Sequence, residues 1–548
     1  LKRKATEAGL LNAHENTGTV EADMLARTLV VVTAICAVQA TAGNAETLKY
    51  SFQGPLTTLD PYTLNEAFTL SALGNTYEGL VRRDENLKIE PALAESWEAL
   101  SPTHWRFHLR KGVKFHNGNE FTAQDVVFSM ERATSQGSNL KLRIPDRTRV
   151  VAVDDHTVDF VLETPNPILT AGWENLFIMD EEWTIANGAE KVTSASDTAG
   201  NHATLHANGT GPFRIVSHEP GVKTVYKKFD DWWDTPEHNL NTVEFMPISS
   251  DATRVAALLA GAVDLIYPVP VQDLKRIQDN EATKALTGPE LRTIFLGMDQ
   301  LRDEPLRSSV KGKNPFKDVR VRKAFYQAID IEAIKTKIMR DLATPTALMV
   351  SPFLFSKANE FQRHPYDPDE ARALLAEAGY EDGFSIEMNC PNDRYVNDEA
   401  ICQAVTAMLA RVGIKIYLVT EPKAKYFGRI LSTGGYDTSF YLLGWTPSTF
   451  ESHEVLKNLM NCRDGDGGTS FNIGGWCDER VDALTAELSE TVDQGRRDEL
   501  IAEAFKIAHD NAYIIPLHQQ SLAWGVASNV DLVQRPDNQL FFRFVRKL

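Results

Sequence analysis

Five cysteines are few for a chain of 548 residues, and none of their spacings is CxxC. Zinc-ribbon and thioredoxin-like chemistry therefore lack support. Catalytic signatures are missing as well. There is no GxSxG, no HExxH and no GxxxxGK[ST], so no nucleophile elbow, zincin helix or phosphate-cradling loop is encoded. Gly209-Thr210-Gly211-Pro212-Phe213 is glycine-rich, but Pro212 removes an N–H that a phosphate cradle would use, and the stretch reads as a tight turn. Positive charge is sparse: Lys and Arg number 57 against 75 Asp and Glu, a formal net charge of −18. Without a long basic run, nucleic acid and anionic lipid are poor partners, because phosphate contacts need clustered Lys and Arg. Solubility is the plainer use of this charge. Short-period repeats and low-complexity tracts are absent too.

What is present has the balance of a soluble globular protein, 43% apolar and 24% charged residues. The length predicts two or three domains. From Met24 the chain reads as an export signal: Arg27 as a short positive region, Thr28 to Val38 as an apolar core, then Ala40-Thr41-Ala42 and Gly43-Asn44-Ala45 as small-x-small cleavage sites. That apolar core is about half of what spans a bilayer. Leu1 to Asp23 precede it, are polar and unpatterned, and read as upstream sequence, with the mature chain expected to start near Glu46. Cys36 leaves with the signal. Four cysteines remain, an even number that suggests disulfides in an exported chain. Cys462 and Cys477 bracket a glycine-rich loop and are the expected pair. Cys390 and Cys402, at a strand end and in the following helix, are a second pairing left open.

The mature chain alternates helix and strand signals, an α/β pattern with a β-rich insertion. Trp105, Phe107 and Leu109 alternate with Arg106 and His108 as in a half-buried strand. Thr122 caps a helix with Asp125 at its third position and Val126, Val127 and Met130 on its apolar side. Val243–Ile248, a helix capped by Ser250 and ended by Gly261, and Val263–Ile266 form a βαβ unit. Asp318 caps a helix with apolar residues at Val321, Ala324, Phe325 and Ala328. Asp367-Pro368-Asp369-Glu370 starts another, ended by Gly379. Then come a strand at Phe384–Asn389, a helix at Asp398–Val412, a strand at Ile414–Val419, a helix at Lys425–Leu431 and a strand at Thr438–Leu443. They read as a second doubly wound sheet, in which ligands sit at the carboxyl ends of strands. Arg394 and Trp445 fall there.

Each candidate has a bland alternative. Arg394 ahead of a helix N-terminus suits a carboxylate, or it is a surface arginine paired with Asp393 or Asp398. Trp445 stacks on a ligand, or it packs in the core. His104, His108 and His116 invite a metal, but strand geometry sets His104 and His108 two pleats apart, and strand histidines are the plainer reading. Trp232 and Trp233 stack on sugar, or pack on their own domain.

A set of segments, in order, carries a resemblance: TLDPY with NTYEGLVRRDENLKIEPALAESWE, WRFHLRKGVKFHNGNEFTAQDVVFSMERA, NGTGPFRI, GAVDLI, NPFKDVRVRKAFYQAIDIEAI, YDPDEARALLAEAGY, RVGIKI and GWT. From about Leu48 to its end the chain resembles the family 5 extracellular solute-binding proteins of ABC importers, the dipeptide-, oligopeptide- and nickel-binding proteins. The resemblance implies a two-lobed periplasmic-binding-protein fold of α/β class, with a cleft between lobes and an extra β-rich domain. Residues 1–23 would be the upstream segment, 24–45 the signal peptide, 46–90 the first part of lobe I, 91–208 the extra domain, 209–306 the second part of lobe I, 307–520 lobe II and 521–548 the last part of lobe I. It implies a periplasmic monomer that captures a peptide or other small molecule by hinge closure and delivers it to permease subunits in the inner membrane. No cofactor, metal or catalytic residue is implied. Arg394 matches the arginine that dipeptide binders use on the ligand carboxylate. Trp445 and Thr446 match a ligand-lining stretch, with Ser448 close after it as a further candidate, and Glu66, Phe68 and Thr69 match the lobe I wall. One departure stands out. Peptide binders carry an aspartate soon after GW for the α-ammonium, and this chain has no acid there until Glu451. Non-peptide carboxylated ligands (opines, nickel chelates) or oligosaccharides therefore stay open, as does a secreted hydrolase on the same fold.

Overall fold

The computed structural model describes residues 46–193, 200–431, 435–463 and 471–548. The expected signal peptide, the segment before it and half of the glycine-rich loop between Cys462 and Cys477 lie outside the described residues. The first described strand is Glu46–Phe52. No helix among the described residues is long and apolar enough to cross a membrane.

One mixed sheet of eleven strands runs through the molecule. Two sheets were expected. The sheet stays continuous because two strands are unusually long: Thr283–Met298 and Ile514–Ala527 pair antiparallel along their whole length. At one end they join Leu265–Tyr267, Glu46–Phe52 and Leu240–Phe245. At the other they meet Phe440–Trp445, which leads to the parallel strands Phe384–Pro391 and Ile414–Glu421. Period-two patterning finds strands, but pairing between segments more than two hundred residues apart leaves no local mark.

The helices begin where their caps place them. Asp367 accepts from Asp369 and Glu370 N–H at 3.1 and 2.9 Å and starts Pro368–Glu377. Thr122 N–H donates to Asp125 at 2.8 Å at the start of Ala123–Thr134. Elsewhere boundaries moved by a few residues. The strand expected at Val243–Ile248 is Leu240–Phe245, and the helix expected from Lys425 begins at Lys423.

The apolar interior is split. One cluster runs from Leu48 and Tyr50 through Phe107, Val158 and Trp173 to Phe542, so the four-stranded sheet of Ala94–Val161 shares its core with the N- and C-terminal segments. Two others cover opposite faces of the second half of the sheet: one around Phe325, Ile401 and Leu409, the other around Tyr426, Leu484 and Phe505. Along Thr283–Met298, Leu286 packs on the first core and Ile294 already belongs to the second. The cores thus part upstream of residue 307. Each cluster buries its own apolar area. The expected disulfide Cys462–Cys477 is present, and so is Cys390–Cys402, the pairing that the sequence left open.

Candidate functional site

The two long strands lose register where they pass between cores. Pro289 faces Ser521 and Thr293 faces Gln519, so Glu290, Leu291 and Arg292 together stand opposite Gln520. Extra residues of this kind bend a strand and re-aim its side chains. Buried Glu290 accepts from Gln520 Nε2 at 2.9 Å and pairs with Arg292 at 3.3 Å. Beyond the break, Thr293 lies in register between Trp445 and Gln519, which puts all three side chains on one face. Thr293 Oγ1, Gln519 Nε2 and Thr446 Oγ1 are buried and have no hydrogen-bond partner among the described residues. Such atoms cost about 1–3 kcal/mol each unless water or a ligand meets them.

Arg394 stands beside this break, in the turn between Phe384–Pro391 and the helix Asp398–Ala410. Its expected partners are engaged elsewhere. The Asp398 carboxylate accepts the N–H groups of Arg394, Tyr395 and Glu399, each at 2.9 Å, and Asp393 accepts from Lys423 N–H at 2.6 Å. Asp398 thus takes the N–H groups of this turn, and among the described residues the Arg394 guanidinium has no hydrogen-bond partner. That group lies 4.9 Å from the centre of the Tyr395 ring, and among the described residues it has no carboxylate within ion-pair distance. Burial, then the nearby charge of Arg292, lowers its pKa from arginine's ordinary value, yet an arginine stays cationic. Tyr395 is fixed in turn: its hydroxyl donates to Gly444 O at 3.1 Å. Glycine at 444 gives the Tyr395 ring its room, since a Cβ there would lie 2.7 Å from Ile294 Cδ1 and from that ring.

The other expected residues separate into two groups. Trp445 ends its strand rather than following it, is 8% exposed and packs in the second lobe's core, 6.2 Å from Phe471. Phe68 stacks on Phe52 at 4.1 Å inside the first core, and Thr69 is buried. All three are buried in this structure. Glu66 is exposed but holds Thr69 N–H and Oγ1 at 2.8 and 2.9 Å as a helix cap. Ser448 is exposed and donates to Glu454 at 2.8 Å, and Thr449 adds two bonds to the same carboxylate. Glu451 lies 3.3 Å from Arg497, with its pKa raised mainly by burial. Arg394 and Thr446 keep unused capacity. Sequence reasoning missed Arg292, Thr293, Gln519 and Gln520. Gly288-Pro289 was the one available mark of a break.

The metal and sugar readings dissolve. His104 lies 2.9 Å from Asp159, His108 is 3.6 Å from Glu98, and His116 bonds to Gly211 O at 2.9 Å, three unrelated partners. Trp232 and Trp233 both donate to Glu78, at 3.2 and 2.8 Å, and so pack on their own lobe. Between lobes, the loop after Trp445 meets the first core: the Arg83 guanidinium lies 4.8 Å from the centre of the Phe450 ring.

Comparison with known proteins places this geometry. Residues 88–467 match the family model for bacterial extracellular solute-binding proteins, family 5. The dipeptide-binding protein of Escherichia coli K12 is 28% identical over 89% of this chain and 91% of its own length. The glutathione-binding protein GsiB of Salmonella choleraesuis is 26% identical over 86% of this chain and 89% of its own. Among solved structures, HbpA2 from Haemophilus parasuis superposes with a TM-score of 0.79 at 24% identity, covering 92% of this chain and all of that one. The chain belongs to the family 5 bacterial extracellular solute-binding proteins, as the solute-binding component of an ABC transporter and not an enzyme.

Proposed function

We propose that this protein captures a small carboxylated, peptide-like solute between its lobes in the periplasm and presents the closed form to permease subunits in the inner membrane. The observation that carries this reading is Arg394, a half-buried guanidinium beside the interlobe strands with no carboxylate within ion-pair distance among the described residues. Arg292 is paired with Glu290, and the Arg394 guanidinium, with no carboxylate in contact, suits one carboxylate of a ligand. Dipeptides and glutathione, named as the ligands of two relatives, both carry such a group. The far end of the ligand should be neutral. The nearby acids Glu66, Glu451 and Glu454 are each committed to a partner of the chain itself, and a buried ammonium without a carboxylate costs several kcal/mol. A carboxylated opine would satisfy Arg394 equally, whereas an oligosaccharide would leave it unmet. Export rests on the segment 24–45, and sequencing of periplasmic protein should begin just after Ala42 or Ala45.

Calorimetry tests the site. Wild type should bind an N-acetylated dipeptide more tightly than the free dipeptide, and Arg394→Ala should weaken binding by about 2–5 kcal/mol. Tight binding of free dipeptides that is unmoved by Arg394→Ala would overturn the reading.

A further inference from the structure

Gln520 spans two groups that no other described side chain joins. Its Oε1 accepts from Val396 N–H at 3.1 Å, and its Nε2 donates to Glu290 Oε2 at 2.9 Å. The amide orientation is unambiguous, because a backbone N–H can only donate and a carboxylate can only accept. Val396 lies two residues beyond Arg394, in the same turn. Gln520 and Glu290 both lie in the register break where the long strands pass from one core to the other. Glu290 also holds Arg292, at 3.3 Å. The turn that bears Arg394 is thus tethered by one amide to the part of the sheet that must bend if the lobes move.

The geometry points to Gln520 as a positioning residue, which fixes the Arg394 turn to the interlobe strands and couples the grip on a ligand to lobe position. The consequence for the ligand rests on the reading of Arg394 given above, but the tether itself does not. Glutamate at this position keeps the acceptor for Val396 and turns the donor toward Glu290 into a second carboxylate. At neutral and higher pH the two repel; at lower pH they share a proton and the bond returns.

The test uses the full exported chain, with amide exchange at Val396 in the ligand-free protein and calorimetry with N-acetyl-Ala-Ala as probe. In Gln520→Glu, Val396 should exchange about tenfold faster than in wild type near pH 8, the worth of one hydrogen bond, and this ratio should fall toward one near pH 5. The double variant Glu290→Gln/Gln520→Glu restores an amide opposite a carboxylate and should return to wild-type exchange at both pH values. Reversal with pH and rescue by the swap would assign the change to this pair itself, while a merely structural role would leave probe affinity unmoved. Probe affinity should follow the same pattern. Unchanged Val396 exchange in both Gln520→Glu and Gln520→Ala would overturn the tether. Faster exchange with unchanged probe affinity would overturn the coupling to the grip. If wild type fails to bind the probe, or Arg394→Ala binds it equally, the carboxylate reading falls while the exchange data still decide the tether.

Discussion

A guanidinium half-withdrawn from water without a carboxylate beside it is costly, and Arg394 is held in that state by the commitments of its neighbours. Asp398 and Asp393 spend their oxygens on backbone N–H groups, and the aromatic face of Tyr395 takes part of the charge. His116 shows the same logic for a neutral group. Burial lowers its pKa to about 4. A histidine depressed in the folded state is neutral in both states above about pH 6.5. Below that, the unfolded chain gains the proton first, so stability present at neutral pH is lost as pH falls from about 6.5 to about 4. The loss from this one ring is on the order of 3 kcal/mol. Urea unfolding across that range should show a shallower decline in His116→Gln than in wild type, since glutamine can still donate to Gly211 O.

At the scale of elements, the strand Phe440–Trp445 and the turn that carries Arg394 are fitted to each other through Gly444. Gly444→Ala should displace the Tyr395 ring, and with it the guanidinium stacked on it, weakening ligand binding by at least about tenfold together with a loss of about 1–3 kcal/mol in stability. Calorimetry and urea titration of one preparation would read both. The Cys462–Cys477 bridge closes a separation of 15 residues, worth about 3 kcal/mol by loop entropy. Non-reducing peptide mapping should recover both bridges, and the double serine variant of this pair should unfold at correspondingly lower urea. Removing a cap costs less: Asp367→Ala should cost about 1 kcal/mol, because two N–H groups of the following helix lose their acceptor.

For the whole molecule, the contact between cores sets how readily the lobes stay together. Phe450 has a left-handed backbone, φ 56°, which is rare for a bulky residue and is tolerated where surroundings hold it. Arg83 of the first core stacks on its ring, and Gly172 lies alongside Thr449. A cation–π contact of this kind is worth about 0.5–2 kcal/mol. Phe450→Ala should therefore shift the ligand-free population toward the open form by a few-fold, seen as a larger radius of gyration in solution scattering. The radius at saturating ligand should stay unchanged, and the ligand should dissociate faster. An unchanged ligand-free radius would count against this contact as a clasp.

The sequence by itself determined most of the elements, the family and the Cys462–Cys477 pair. Caps such as Asp367, Asp318 and Ser250 and the period of Ile401, Val405 and Leu409 are local signals, and local sterics and hydrogen bonds decide them. Arg394 was legible because a strand, a turn and a helix start follow one another directly in the chain. What surrounds it was not. The register break, the Glu290–Gln520–Val396 tether, the inward packing of Phe68 and Trp445 and the contact of Arg83 with Phe450 join residues far apart in the chain. Periodicity reports which face of an element is apolar, but not which other element covers it. A buried tryptophan and a ligand-stacking one obey the same pattern. Only the tertiary structure decided which polar atoms were already satisfied within the chain and which, like the Arg394 guanidinium and the Thr446 hydroxyl, have no hydrogen-bond partner among the described residues.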